Sequence, residues 1–370
     1  MIRALFIAFF LVFPVVAHAQ APGVTTQDDI AVLQAEVLEV LGVEEKELTQ
    51  LGLTVDEQTL RIEFLEGDQQ GEVVTITNDY IAVEAGDKIF VRRQPNYAGD
   101  GFNYGIIEIK RSRTLWWLFG LFALVIVGFG GWQGVRSLLS LAASLFIILY
   151  LLVPALVSGF PPILTSIGIA MLVLFGAIFI THGFNKRSLA AFLGSVIAIA
   201  VTGVLAWFFV DGAKLTGFGS DESIYLNINT EGTLNFAGLL LGAIIIGVLG
   251  VLDDIAITQV AVVQELLRMR QKHTLKDIYL RALRVGREHV AALVNTLVLA
   301  YTGAALPLLL WVSSASTNIG LEINREVFAV EIVRTLIGSI GLVLTVPLTT
   351  ALAIWLLRDD PGESIGHHHH

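Results

Sequence analysis

Two adjacent carboxylates, Asp253 and Asp254, directly follow an uncharged apolar run, residues 236–252. No proline or turn signal separates them from that run, so the pattern predicts one helix that continues to about Met269. At 1.5 Å per residue, such a helix is about 50 Å long, more than a hydrocarbon core requires. The aspartates are therefore expected part-way along a membrane helix, where a charged carboxylate is costly unless it is paired or hydrated. An interfacial pair that faces water is the alternative.

The residues after the aspartates extend a polar or small stripe along the same helix. Asp254, Thr258, Ala261 and Glu265 are spaced i, i+4, i+7 and i+11, which puts them on one helical face. Intramembrane carboxylates typically mark ion pathways and proton relays. The stripe is therefore a candidate site for a coupling ion, either a proton or sodium.

Polar residues in other apolar segments are candidates to pair with the aspartates or to hydrate them. Glu331 and Arg334, at i and i+3, predict an ion pair within one helix. An imidazole titrates near neutrality, so His182 is a possible proton relay. For all of these residues, ordinary hydrogen bonding between helices or at the interface is the alternative. The full candidate set is Asp253, Asp254, Thr258, Glu265, Glu288, Asn295, Thr296, Glu331 and Arg334, with His182 as the relay.

The composition indicates a multi-pass membrane protein. The chain of 370 residues is 55% hydrophobic and 15% charged, and its mean hydropathy of +0.73 is too high for a soluble domain. Its net charge of −10 is concentrated near the N-terminus, where residues 20–110 carry 18 Asp/Glu against 6 Lys/Arg. This acidic balance argues against nucleic acid as a partner.

The N-terminal region predicts a secreted domain ahead of the membrane part. Met1–Ala19 has Arg3, an apolar run and a small-x-small end, which predicts a signal peptide cleaved before Gln20, with an uncleaved anchor as the alternative. Residues 20–113 are then expected to form an extracytoplasmic β domain, a small barrel or sandwich of the OB-like or biotinyl-like kind. The first strand pattern would also suit a short helix. The predicted strands are 35–42, 59–67, 71–79, 87–94 and 104–111.

Residues 114–358 are expected to form a membrane domain of seven helices, followed by a tail, 359–370, that ends in a tag remnant. Positive residues fall on alternate loops, at Arg136, at Lys186–Arg187 and between Arg268 and Arg287. By the positive-inside rule, the β domain is outside and the C-terminus inside, in the cytoplasmic (inner) membrane. The predicted spans are 114–133, 137–157, 163–183, 188–210, 236–253, 289–312 and 328–357.

Several enzyme classes lack support in this sequence. No cysteine is present, and neither a P-loop nor an HExxH zinc motif occurs. An intramembrane aspartyl protease would need catalytic aspartates on two different spans, whereas Asp253 and Asp254 are neighbours on one. The sequence therefore predicts neither an enzyme nor a cofactor, and it leaves metal binding undetermined.

Four stretches carry a resemblance to a known family. They are GVLGVLDDIAITQVAVVQELLR, GREHVAALVNTLVLAYTGAALPLLL, NREVFAVEIVRTLIGSIGLVLTVPLTT and the earlier THGFNKRSLAAFLGS. The chain resembles the YibE/F family of multi-pass membrane proteins over most of residues 60–357. The resemblance implies about seven spans behind a signal-bearing β domain. Where the family pattern has one acidic position, this chain has Asp253 and Asp254, which leaves open which of them carries the family role.

The order of features is also similar, as an analogy of layout, to the membrane half of Sec export accessory proteins and to resistance-nodulation-division permeases. Those families couple proton flow to work outside the membrane. We therefore expect an ion-gradient-driven transporter or export accessory that acts in the lipid bilayer on an unspecified substrate or envelope protein. A non-transporting scaffold whose β domain recruits an envelope partner is the alternative, and a homo-oligomer is left open.

The charge pattern makes a direct prediction about topology. In this cysteine-free chain, a cysteine at Ser220 should react with an impermeant maleimide added outside cells, because residue 220 follows an outward-running span. A cysteine at Gln271 should react only after the membrane is permeabilised. The reverse labelling pattern would contradict the orientation.

Overall fold

A computed structural model describes residues 31–48, 53–96, 101–269, 274–314 and 318–359. The chain forms two compact units whose boundary lies between Val125 and Ile126. The first unit contains a β-sheet and the second a bundle of helices. The predicted signal peptide lies outside the described residues.

The β unit is one antiparallel sheet of five strands in the order β3-β2-β1-β4-β5. Its edge strands β3 and β5 also approach each other, so the sheet curls into a partly open barrel. The prediction of a small five-stranded barrel is confirmed in this form. The strands are β1 (Ala31–Leu48), β2 (Leu53–Phe64), β3 (Val73–Asn78), β4 (Lys88–Pro95) and β5 (Phe102–Ile109).

The alternative of a short helix for the first strand pattern is wrong. β1 pairs with β2 along most of its length and with β4 over Ala31–Glu36. Two register shifts relative to β2, between Val37 and Glu39 and between Val40 and Gly42, bend the strand around the barrel. Such bulges interrupt the strict alternation of side chains, which explains why the sequence pattern was ambiguous.

The inward side chains of this sheet form their own apolar core, which includes Leu60, Ile62, Phe64 and Ile89. An ion pair ties the β2–β3 connection to β4, because Arg93 Nη1 donates to both carboxylate oxygens of Asp68 at 2.9 Å. These bonds lower the pKa of Asp68. The pair is therefore intact at neutral pH, and its contribution is lost only as the pH falls through that lowered value.

The remainder of the described chain is helical. A π-helical turn, Ile148–Leu152, joins the first two helices. The helices are α1 (Ser112–Ile147), α2 (Val153–Val157), α3 (Pro162–His182), α4 (Lys186–Gly212), α5 (Asp221–Asn229), α6 (Phe236–Arg268), α7 (Leu275–Ala304), α8 (Leu306–Ser314), α9 (Ile319–Ile323) and α10 (Glu326–Leu357).

Helix α6 is the centre of the bundle and packs against α3, α4, α7 and α10. Close approach depends on small residues, as is usual for membrane helices. A Cβ added to Gly242 would overlap the Ser166 side chain of α3, and one added to Gly341 of α10 would overlap Thr202 of α4.

Contacts between these helices also fix their directions. Gly238 and Gly242 of α6 meet Pro162 and Ser166 of α3, so these two helices run parallel. Helix α10 also runs parallel to α6, since Gly338 meets Val248 and Thr350 accepts a hydrogen bond from Gln259.

The helices confirm a multi-pass membrane protein, although they group differently from the predicted seven spans. In the part of the chain that the structure describes, five helices are long and apolar enough to cross a membrane, or six if one bent pair counts as a span. The predicted spans 114–133 and 137–157 fall within one helical segment, Ser112–Val157. Gly131 interrupts that segment with φ 54° and ψ −132°, a conformation open to glycine.

The predicted span 289–312 lies within a longer helical segment that is broken, Leu275–Ala304 and Leu306–Ser314. Its helix begins at Leu275, where Thr274 and Asp277 form a capping box, and it breaks after Ala304. Helix α8 follows at an angle of 64°. Pro307 in the first turn of α8 disfavours a continuous helix through this point. The segments between the predicted spans, 211–235 and 313–327, contain the short helices α5 and α9.

Because the β unit has a core of its own, we expect it to fold without the membrane part. Expressed alone as residues 24–110, it should give a β-type circular dichroism spectrum and a cooperative unfolding transition, although a domain of this size is only marginally stable. A disordered spectrum under stabilising conditions would show that the sheet needs the membrane part.

Candidate functional site

Helix α6 carries the two aspartates in the middle of an uninterrupted segment of 33 residues. Asn235 caps its first turn by accepting from the N–H of Gly238, and the helix ends at Arg268, next to Met269. The prediction of one helix to about Met269 is therefore confirmed. Asp253 is half-buried, whereas Asp254 is exposed.

A cavity of about 430 Å³ opens beside the aspartates, between the second half of α1, the C-terminal half of α3 and the middle of α6. Most of its wall is aliphatic. Its polar lining consists of hydroxyls, two carboxylates and one imidazole. The polar lining residues are Ser137, Ser140, Ser144, Thr181, His182, Asp253 and Asp254.

The three serines lie on one face of α1, since they are spaced by three and four residues. Ser140 is buried, and Ser144 Oγ donates to the carbonyl of Ser140 at 2.9 Å. Thr181 and His182 close α3 at the same end of the cavity. The hydroxyls of α1 thus share a cavity with the carboxylates of α6.

The two carboxylates have different surroundings. Asp253 Oδ1 accepts from the backbone N–H of Asp254 at 3.0 Å. Asp254 interacts electrostatically with His182 of α3 and with His289 of α7. In an apolar wall such charge interactions are stronger than they are in water. This arrangement can hold a proton or a cation.

Among the described residues, no group of three or more His, Cys, Asp or Glu is arranged to hold a metal ion.

The comparison with protein families decides the affiliation of the chain. Residues 118–359 match the model of the YibE/F-like protein family. The chain belongs to this family. The match contains the cavity and both aspartates, whereas it begins after the β-sheet. No curated protein and no solved structure matches the chain.

In this YibE/F-like protein, the stripe that follows the aspartates is an exposed helix face. Asp254, Thr258, Ala261 and Glu265 are all exposed along α6. Glu265 is paired with Arg268 at 2.6 Å and lies eleven residues from Asp254, about 16 Å along the helix. The predicted helix face is therefore present, but Glu265 is not part of the cavity.

Glu331 and Arg334 form the predicted ion pair within α10, at 2.8 Å. The structure does not bring this pair to the aspartates. Since Gly338 lies level with Val248, Arg334 is offset from Asp253 by about nine residues, or about 14 Å along the bundle. Its neighbour is Tyr301 of α7.

Three more candidates lie on exposed parts of α7. Glu288, Asn295 and Thr296 are all exposed. Thr296 Oγ1 donates to the carbonyl of Ala292 at 3.0 Å, the local bond that hydroxyl side chains often make in membrane helices. None of the three lines the cavity. The residue of α7 that interacts with Asp254 is His289, the neighbour of Glu288.

Sequence reasoning missed the serines of α1. Their spacing by three and four residues in an otherwise apolar span was the available signal. Nothing in the sequence says that this face lies across from Asp253, because that contact is made between distant segments. The possible relay His182 is brought to the cavity.

The packing that supports this site can be tested with two glycines of α6. Gly242→Val should lower stability by about 1–3 kcal/mol, because the added methyls overlap Ser166 in a tight helix contact. Gly250→Val is the matched control, since a Cβ there meets nothing within 4 Å. Thermal stability of the purified protein in detergent measures the difference. Equal stability of both variants would contradict the packing argument.

Proposed function

We propose that this protein is an ion-gradient-driven membrane transporter or export accessory. Asp253 and Asp254 are its protonatable or cation-binding groups. His182 is a relay that exchanges protons with Asp254, and the serines of α1 hydrate or coordinate the bound ion. The coupling ion is a proton or sodium, and the proposal involves neither enzymatic chemistry nor a cofactor.

The observation that carries this proposal is the cavity, in which hydroxyls, an imidazole and two carboxylates meet between three apolar helices. A carboxylate pair in an apolar bundle is costly, and a purely structural role would not require a cavity beside it. Polar side chains that converge in an otherwise apolar cavity are the usual composition of a binding site.

The energetic scale fits such a role. One elementary charge that crosses a membrane potential of 100 mV releases about 2.3 kcal/mol. A site that alternately binds and releases one ion can convert this energy into a change of helix arrangement. The bend between α7 and α8 and the interruption of α1 at Gly131 are places where the bundle can change shape.

The Lys/Arg bias supports the orientation within this proposal. The β unit then lies outside the cytoplasmic membrane, the C-terminus lies on its inner side, and the N-terminus of α6 faces outward. For this proposal we count α1 as two spans on either side of Gly131, and α7 with α8 as one broken span, which gives seven spans.

A second candidate function is a scaffold whose outer β domain recruits an envelope partner. It is favoured by one observation, namely that the β-sheet has a core of its own and precedes the family match. Loss of function after deletion of residues 20–110, with full function in the aspartate variants, would support the scaffold.

The exposed polar face of α7 bears on the oligomeric state. Glu288, Asn295 and Thr302 lie on this face at spacings of seven residues. Polar groups within a span do not face lipid without cost. A second copy of the chain or a hydrated path would cover them, so a homo-oligomer belongs to the proposal.

The aspartates provide the decisive test. Asp254→Asn and the double variant with Asp253→Asn should abolish gradient-dependent activity, because asparagine keeps the shape but cannot carry the charge. Asp253→Asn alone should be similar or milder, since the amide oxygen of asparagine can still accept the N–H of Asp254. Complementation of a deletion strain, or ion flux into proteoliposomes, measures the effect.

Asp211→Asn is the matched control, because Asp211 is an exposed carboxylate at the far end of α4 and does not line the cavity. Expression level and elution profile must be equal across the variants. If both single variants and the double variant work like the parent, ion coupling by these carboxylates is wrong.

A further inference from the structure

We propose that the cavity is also the substrate site, and that its substrate is a small amphipathic organic cation that competes with a proton for the Asp253–Asp254 pair. This inference rests on the proposed function, and it adds a substrate class and fixes the coupling ion as a proton.

The size of the cavity exceeds what an ion alone requires. Its volume of about 430 Å³ falls within the range of about 300–1,000 Å³ that is typical of small-molecule sites. A water molecule occupies about 30 Å³ in the liquid, so a bare sodium ion or a proton would leave most of this space to water or lipid. An organic molecule fills it.

The walls indicate that most of such a molecule is apolar. Aliphatic side chains from all three helices surround the polar groups, and they offer no donor or acceptor to a polar ligand. Burial of apolar ligand surface against them contributes about 25 cal/mol per Å². The aliphatic lining residues include Leu141, Ile148, Val173, Leu174, Ile246 and Leu249.

The charge of the lining indicates a cation. Asp253, Asp254 and His182 are the ionisable residues among the described residues that line the cavity, and neither lysine nor arginine is among them. The carboxylates therefore have no fixed positive partner within the cavity. An anionic ligand would be repelled by them, whereas an ammonium or phosphonium group would supply the missing charge.

Competition with protons follows from the shared carboxylates. A carboxylate that binds a proton is neutral and no longer attracts the cation, so each ligand weakens the binding of the other by the same factor. The groups that can modify this exchange are Asp254 itself, His182 on α3 and His289 on α7. Between Arg187 and Asp211 of α4, and between Arg334 and Arg358 on α10, no ionisable residue occurs. The polar groups that α1 contributes to the cavity are serine hydroxyls.

The probe for the test is tetraphenylphosphonium, a rigid apolar cation, with triphenylphosphine oxide as its neutral counterpart. Equilibrium dialysis with the purified full-length protein in detergent measures both. We expect saturable binding of the cation, at least about tenfold weaker at pH 5 than at pH 8, and no saturable binding of the neutral compound. Weaker binding at low pH is the expected direction, because protonation removes the attracting charge.

Two kinds of variant separate charge from shape. The double variant Asp253→Asn with Asp254→Asn should bind the cation at least about tenfold more weakly and lose the pH dependence, whereas Asp211→Asn should bind it like the parent. Ala177→Phe fills the cavity without changing its charge and should also prevent binding. Ala177→Phe keeps the proposal testable if the double variant does not fold.

The outcomes distinguish this inference from the proposed function. Absence of saturable cation binding, equal binding in the double aspartate variant, or equal binding of the neutral compound would overturn the inference. If the same aspartate variants still abolish gradient-dependent activity, the proposed function stands with a different substrate. If those variants are fully active, both proposals fail.

Discussion

The cost of placing two carboxylates in the middle of an apolar helix is the constraint on which the rest of this structure depends. A charge in a low-dielectric environment is stable only next to compensating groups or water. The bundle provides such groups, with hydroxyls on α1 and imidazoles on α3 and α7, and a cavity reaches the carboxylates. Neighbouring helices must therefore hold these groups in a fixed relation to α6.

Small residues make that fixed relation possible. Glycines at positions 238, 242 and 286 face side chains of adjacent helices so closely that a Cβ at any of them would overlap its neighbour. Gln259, one turn and a half beyond the aspartates, donates to Thr350 of α10 at 2.7 Å and to the carbonyl of Ala282 of α7 at 3.0 Å. This buried amide ties three helices together. Tight packing of α6 against α3, α7 and α10 thus coexists with an open, polar space between α6 and α1.

Local patterns were predictable from the sequence, and contacts between distant segments were not. Neighbours a few residues apart determine the length of α6, the exposed stripe that begins at Asp254, the Glu331–Arg334 pair and the five strands. The break between α7 and α8 was missed because an apolar run with one proline also suits a straight membrane helix. The separation of Glu265 and Glu331 from the cavity depends on the relative register of helices, which a helical wheel does not contain.

The pairing of the aspartates is itself informative. Adjacent residues on a helix point about 100° apart, so the two carboxylates meet different neighbours although both line the cavity. Asp253 is the less exposed, and its carboxylate accepts the N–H of Asp254, whereas Asp254 interacts electrostatically with the imidazoles of two different helices. One carboxylate is thus held by the backbone of its own helix, and the other is exposed to groups that can exchange protons. Neighbouring positions on one helix thus give the two carboxylates different environments at the smallest possible separation.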